Sequence, residues 1–299
     1  MTTPYRPGAD PFTTRTPRVV AARRLQRRRD REAAGCFLAE GPQAIGEAPR
    51  IVELFGTPQA LDRHPELVAR SGRVSPVTDD ALAALAETVA PQGLVAVCEF
   101  VDVPLPDALG RGPGLMAVLA GIRDPGNAGT VLRTADAAGA GAVVFAGDAV
   151  DPYNGKCVRA SVGSLFHVDV VRHREPDSVV AAIRAAGLPV LAADAYGETD
   201  LDELAEGGGL DRPVAWMFGS EAHGLPADLA EAADARVRVP IHGRAESLNL
   251  AAAAAVCLYA SARALAAIGG REARESESDH DQSGLARPAP RDDPDQSLI

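Results

Sequence analysis

Apolar residues in this chain recur in two ways, as short continuous runs and at helical spacing, and the two alternate along most of its length. Between Arg15 and Ala34, Val19, Ala22 and Leu25 or Gln26 fall on one face of a predicted helix whose other faces carry arginines. Strands are predicted at Cys36–Ala39, Ile51–Phe55, Val74–Val77 and Leu94–Phe100. Helices are predicted between them at Pro42–Ala48, Pro58–Arg70 and Asp79–Thr88, the last capped by Asp79 or Thr78. Pro and Gly then crowd into residues 102–114, which read as a linker. From Leu115 the apolar runs lengthen, as expected of a parallel sheet covered on both faces. Strands are predicted at 115–122, 142–147, 166–171, 189–193, 214–219 and 236–241, with helices at 127–138, 154–161, 177–186, 226–233 and 247–267. The expected organisation is a flexible arm (1–14), a small α/β domain (15–101), the linker, a larger α/β domain (115–268) and an acidic, disordered tail (269–299).

Composition narrows the functional classes. A net charge of −11 argues against a generic nucleic-acid binder. The average hides one dense basic segment, however, with eight arginines between Arg15 and Glu32 against Asp30 and Glu32 alone. Cys36, Cys98, Cys157 and Cys257 are too dispersed for a zinc knuckle or a redox pair, and the six histidines form no cluster of metal-ligand spacing, so no metal is expected. The Ala-rich stretch Leu250–Ala267 comes nearest to a membrane span but holds Arg263. Met1 to Asp10 is polar with no apolar run after it, so a cytoplasmic protein is expected.

Three segments of the larger domain carry candidate chemistry. In the first, a strand ends in Asp124-Pro-Gly and a helix opens with Asn127 at or near its N-cap. Ala128, Val131, Leu132, Ala135 and Ala138 form its buried stripe, and Arg133 lies off that stripe. In the second, an apolar strand empties into Gly219-Ser-Glu221-Ala-His-Gly224, where two glycines allow close backbone approach and Glu221 supplies a carboxylate. In the third, a strand that includes Val239 ends at Pro240, and Ile241 and a polar loop lead to Ser247-Leu248-Asn249 and a long helix with Ser247 as its natural cap. Taken singly, each has a plain structural reading: Asn127 or Ser247 as caps, Arg133 as a solvated arginine paired with Asp136, Glu221 as a turn residue. His223, His242 and Arg244 read as loop residues, the last two also as possible phosphate contacts. Ligands of open α/β sheets sit at the carboxyl ends of strands, where the Gly219–Gly224 turn falls. The Asp136–Gly141 glycine pattern closes a helix and opens a strand, the reverse of a Rossmann phosphate loop.

Together, N-x-G-x-x-x-R, G-S-E-x-x-G and P-I…S-L-N resemble, in order and spacing across residues 115–267, the three signature motifs of the SpoU (TrmH-type) family of SPOUT RNA methyltransferases. Residues 17–100, through Phe37-Leu-Ala-Glu40-Gly41, are similar to the L30e-like substrate-binding domain of ribosomal-RNA members. The resemblance implies an α/β catalytic domain with a parallel sheet and a deep trefoil knot, homodimers, and 2′-O-ribose methylation of RNA by S-adenosylmethionine. Ribosomal RNA is the expected substrate, with tRNA or a non-catalytic role in ribosome assembly as alternatives. Arg133 would then be the catalytic arginine, with Asn127, Glu221, Ser247 and Asn249 as the other polar site residues. Gly219, Glu221, Gly224, Val239, Ile241, Leu248 and Asn249 would hold the cofactor. Arg15, Arg18, Arg23, Arg24, Arg27 and Arg28 would contact RNA phosphates.

Overall fold

A computed structural model of the protein describes residues 10–283. The N-terminal unit comprises α1 (Pro17–Arg24), α2 (Arg28–Ala34), β1 (Cys36–Glu40), α3 (Pro42–Glu47), β2 (Ile51–Gly56), α4 (Pro58–Arg63), α5 (Pro65–Arg70), β3 (Val74–Pro76), α6 (Asp79–Leu85) and β4 (Leu94–Glu99). Its sheet has the order β1-β4-β2-β3, with β4 antiparallel to both neighbours and β2 parallel to β3. The second unit comprises α7 (Leu105–Gly110), β5 (Leu115–Ala120), α8 (Pro125–Ala137), β6 (Ala142–Ala146), α9 (Gly155–Ser161), β7 (Asp169–His173), α10 (Pro176–Ala185), β8 (Val190–Ala193), β9 (Thr199–Asp200), α11 (Leu201–Glu206), β10 (Val214–Phe218), α12 (Ala227–Glu231), β11 (Ala235–Arg238) and α13 (Leu250–Ser283). Its seven strands are all parallel, in the order β7-β6-β5-β10-β8-β11-β9. β5, β6 and β10 are buried along their whole length, as the continuous apolar runs require.

The departures from the sequence expectation have local causes. The predicted basic helix is two helices. Its break at Leu25–Arg27 is stabilised by the buried Arg31, whose Nη1 donates to the carbonyls of Leu25 and Gln26 at 2.9 Å each. The predicted Pro58–Arg70 helix breaks at His64, which precedes Pro65 and leaves the helical region. The strand expected at 166–171 begins later, at Asp169, because Ser164–Phe166 forms a 3-10 turn. The expected linker holds α7, whose Leu105 and Ala108 are buried against the second unit. Phe12, in the supposed flexible arm, bonds through its backbone to Pro76 and Thr78. α13 continues past Gly269-Gly270 to Ser283, whereas a stop near those glycines was expected. The rest of the predicted disordered tail, and residues 1–9, lie outside the described residues.

By length and composition Leu250–Ile268 could cross a membrane. Here Ala251, Ala254, Cys257, Leu258 and Ser261 are buried in the protein core, and Ser261 Oγ accepts from Trp216 Nε1 at 2.8 Å. Of the four cysteines, all free, Cys98, Cys157 and Cys257 are buried and Cys36 is partly exposed. Burial pushes the Cys98 and Cys257 thiols up to about 12, which leaves them inert at neutral pH.

The two units share one hydrophobic core. Tyr153, 1% exposed, stacks on Phe100 with ring centroids 4.1 Å apart and lies 4.7 Å from Phe37. Its hydroxyl donates to Asp102 at 2.7 Å and accepts from the Val101 N–H at 2.9 Å. Arg31 and Asp151, both almost fully buried, form an ion pair at 2.6 Å. On the same interface Arg159 donates to Glu40 at 2.8 Å, and the His167 ring bridges Asp136 at 2.8 Å and Glu47 at 3.0 Å. The N-terminal unit is therefore docked rigidly on the second.

Two outcomes follow from this interface. Arg31→Met strands the Asp151 carboxylate in the core. It should lower the unfolding free energy by about 3–5 kcal/mol, with partial recovery in the Arg31→Met/Asp151→Leu double variant, by urea titration monitored at the single tryptophan. The hydrogen bonds to Asp136 and then Glu47 hold the His167 imidazole above its ordinary value. Its contribution is fully present below the unfolded value of about 6.5 and is lost as pH rises through the raised folded value. The stability gap between wild type and His167→Gln should therefore be full below about pH 6 and shrink as pH rises above the unfolded value of about 6.5, and a constant gap would exclude titration of this bridge.

Candidate active site

β5 and β10 are neighbours in the parallel sheet, so the loops leaving their carboxyl ends face each other across a cleft of about 890 Å³. On the β5 side the chain turns through Arg123 and Asp124 into α8. Asp124, not Asn127, caps that helix, its Oδ1 accepting the Asn127 N–H at 2.8 Å with Pro125 at the first helical position. This leaves the Asn127 side chain free to bond elsewhere. On the β10 side Ser220 and Gly224 exchange backbone hydrogen bonds of 2.9 Å each, closing a tight loop around Glu221. Gly219 is obligatory there, because any Cβ would overlap the Gly224 carbonyl, and Gly224 itself has a φ of +67°.

Glu221 joins the two loops. Its Oε1 accepts from the Asp124 N–H at 3.1 Å and from Asn127 Nδ2 at 3.0 Å, and its Oε2 accepts from the Arg123 N–H at 3.1 Å. Burial pushes the Glu221 carboxyl up, but the bonds from Asn127 and from backbone N–H groups outweigh it and hold the group below the usual carboxylate range. Asn127 Oδ1 in turn accepts from Asn249 Nδ2 at 3.2 Å. Asn249 Oδ1 caps α13 by accepting the N–H groups of Ala251 and Ala252 at 2.9 and 3.3 Å. The cap predicted at Ser247 is thus two residues too early. One polar chain, Glu221–Asn127–Asn249, connects all three sequence segments.

The structure brings Asn127, Glu221, Gly224 and Asn249 together at the cleft, with Gly219 directly behind it. It does not bring Ser247, Ile241, Leu248 or Val239 into the cleft lining. The first three are exposed on the segment between β11 and α13, and Val239 is half-buried against the core. Arg133 is exposed on α8 outside the cleft lining. It has no ion pair among the described residues, and Asp136, its expected partner, bonds His167 instead. Arg15, Arg18, Arg23, Arg24, Arg27 and Arg28 are all exposed on or beside α1 and α2, away from the cleft. His223 lines the cleft, its N–H donating to Ser220 Oγ at 3.3 Å. The sequence reading missed the parts played by Arg123 and Asp124. The signal was present in Asp124-Pro125, since Asp before a first-turn proline is a strong cap pattern.

The cleft suits a small organic cofactor in size. Gly224 lines the cleft without a side chain, and Ala120, Leu225 and Pro226 give it apolar walls. Ile241 and Leu248, 38% and 39% exposed on the adjoining segment, offer further apolar cover. Among the described residues no group of three or more His, Cys, Asp or Glu could hold a metal ion.

Comparison with known proteins gives this geometry a family. Residues 114–259 match the SpoU rRNA Methylase family, and residues 16–96 match the MRM3-like substrate binding domain. The chain is 34% identical over 240 residues to 23S rRNA (guanosine(2553)-2′-O)-methyltransferase RlmP of Bacillus subtilis, covering 79% of this chain and 92% of that one. It is 34% identical to 23S rRNA (uridine(2479)-2′-O)-methyltransferase of Streptomyces viridochromogenes, covering 80% and 86%. Its fold is similar to that of an AdoMet-bound rRNA methyltransferase from Sinorhizobium meliloti, with a TM-score of 0.75 and 33% identity over 86% of this chain and 98% of that one. The SpoU methyltransferase AviRb from Streptomyces viridochromogenes, in complex with AdoMet, gives a TM-score of 0.72 at 31% identity over 83% and 98%. Matched by that family over residues 114–259 and alike over nearly the full length of such relatives, the chain belongs to the SpoU rRNA methylase family.

Proposed function

We propose that this protein transfers the methyl group of S-adenosylmethionine to a ribose 2′-hydroxyl of ribosomal RNA. The observation that carries the reading is the Glu221–Asn127–Asn249 chain, which unites the three motif segments at the carboxyl edge of a parallel sheet. Named 23S rRNA 2′-O-methyltransferases among the relatives and AdoMet-bound neighbours support the substrate and the cofactor. Gly219, Gly224 and the apolar loop residues hold the cofactor largely by backbone, with Val239, Ile241 and Leu248 joining from the segment after β11. When bound, S-adenosylmethionine supplies a methyl group already activated by its sulfonium charge.

The protein's own work is alignment and electrostatics. Glu221 fixes the Arg123–Asn127 turn, and Asn127 and Asn249 orient polar groups at the mouth of the cleft. Arg133 orients the ribose and stabilises the developing 2′-alkoxide through its guanidinium N–H donors, while the 2′-hydroxyl proton leaves to water. Ser247 completes the polar set. The exposed arginines from Arg15 to Arg28 bind RNA phosphates and give affinity without sequence readout. Arg31 has no such part, being buried against Asp151.

The reading extends to architecture. The deep trefoil knot comes with the family, and the mixed four-stranded N-terminal sheet with its flanking helices fits an L30e-like domain. A homodimer would place Arg133, which lies outside its own cleft, beside a second copy. α13, which packs on α8, carries Val256 and Tyr259, 42% and 47% exposed, as apolar surface for such a contact. The same reading makes it a cytoplasmic protein.

The deciding experiment is transfer of labelled methyl from S-adenosylmethionine to ribosomal RNA and tRNA isolated from a strain lacking the gene. A single 2′-O-methyl nucleotide in ribosomal RNA is expected. Label in tRNA would overturn the substrate, and no label despite cofactor binding would overturn the transferase reading. Arg133→Ala should lower kcat by about 10²–10³-fold, the loss typical of one oxyanion donor, and near-normal turnover by Arg133→Lys would exclude a specific guanidinium role. Glu221→Gln keeps the shape but turns an N–H donor toward donors that now bond a carboxylate. Losing one such charged bond is worth roughly 1.5–3 kcal/mol, so kcat should fall about 10–100-fold with the fold intact by circular dichroism.

A further inference from the structure

Lys156 is the only lysine in the chain and belongs to none of the three motif segments. It is the second residue of α9, and Asn154 Oδ1 caps its N–H at 2.9 Å, which fixes where the side chain starts. Its Nζ donates to Asp124 Oδ2 at 2.6 Å, while the other Asp124 oxygen receives the Asn127 N–H at 2.8 Å. The Lys156 stem crosses directly over the turn, since a Cβ added at Gly126 would lie 2.9 Å from Lys156 Cε and 2.8 Å from Asp124 Oδ1. α9 cannot drift from this position. Gly129 of α8 sits so close to the Cys157 carbonyl that any side chain there would overlap it. At the far end of α9, Arg159 grips Glu40 and Glu87 of the N-terminal unit.

Two carboxylates therefore converge on one short turn, Asp124 from within it and Glu221 through the N–H groups of Arg123 and Asp124. Their like charges favour splaying the turn, and Lys156 is the cation that bonds Asp124 there. Arg123 points instead toward Asp148, at 4.0 Å. The hydrogen bond from Lys156, and after it the Asn127 N–H, holds the Asp124 carboxyl below the usual range. Both members of the pair are about half exposed, so the pair adds little to global stability. Its effect is geometric.

We propose that Lys156 is a positioning residue for methyl transfer, locking through Asp124 the turn that presents Asn127 to Glu221 and Asn249. This rests on the transferase reading above. The test compares Lys156→Met and Lys156→Arg with wild type in steady-state methylation of ribosomal RNA, in S-adenosylmethionine binding, and in amide hydrogen exchange of the full chain. Lys156→Met should lower kcat about 10–100-fold while leaving the RNA KM and cofactor Kd within about twofold, because a small misplacement near the reacting groups acts on the chemical step. Exchange at the Arg123, Asp124 and Asn127 amides should quicken by about tenfold without a comparable change in the sheet. Lys156→Arg, which keeps the charge, should restore both within about threefold. Unchanged kcat or unchanged exchange in Lys156→Met would overturn the proposal. So would a loss in Lys156→Arg as large as in Lys156→Met, which would mark the site as one of packing alone. If wild type transfers no methyl to RNA, the transferase reading fails, while the exchange data still decide whether Lys156 locks the turn.

Discussion

Glu221 accepts three N–H donors from a segment nearly a hundred residues earlier in the chain, and the arrangement of the cleft depends on it. A carboxylate has oxygens enough to take two backbone N–H groups and one side-chain amide at once, and no neutral side chain offers two oxygens that only accept. Those bonds clamp the loop after β10 onto the turn after β5, which are adjacent only because the two strands pair in the parallel sheet. Asp124 adds to the clamp by capping α8 itself. Had Asn127 been the cap, its side chain would have been spent on its own helix. With Asp124 in that place, Asn127 is free to bridge Glu221 and Asn249.

The same economy appears at the join between the two units. The N-terminal unit is not suspended on a linker but shares a core with the catalytic unit, through Tyr153 between Phe37 and Phe100 and the buried Arg31–Asp151 pair. Arg31 also terminates α1 by taking the Leu25 and Gln26 carbonyls, so one guanidinium both breaks a helix and docks a domain. A rigid join suits an enzyme that must hold a large RNA at one surface while aligning one ribose at another. Arg159 and His167 add ionic contacts across the same interface, part-buried at Arg159–Glu40 and about half exposed at His167–Glu47.

Much of this was legible in the residues. The continuous apolar runs of β5, β6 and β10 read as strands covered on both faces, and the order of the motif segments pointed to the edge where they meet. Glycines 219 and 224 stood out in the sequence for ligand approach, and the structure shows what the loop itself demands of them, since a Cβ at Gly219 would overlap the Gly224 carbonyl and Gly224 takes a positive φ. The Val19, Ala22 and Leu25 stripe was likewise correct, because burial of one helix face follows from spacing alone. Asn127 and Ser247 were the residues read as opening the two helices, yet the caps are Asp124 and Asn249, a choice that turned on contacts with other parts of the chain.

The sequence by itself determined the strand and helix alternation, the parallel-sheet class and the family, since these depend on local periodicity and on motifs read along the chain. Only the tertiary structure decided that Asp124 caps α8, that Asn249 caps α13 in place of Ser247, and that Arg31 is buried instead of facing solvent. It alone placed Lys156 against Asp124 and left Arg133 without a partner among the described residues. The physical reason is common to all of these. A polar side chain commits to a partner according to which donors and acceptors the packing brings within about 3 Å of it, and sequence spacing does not encode that distance.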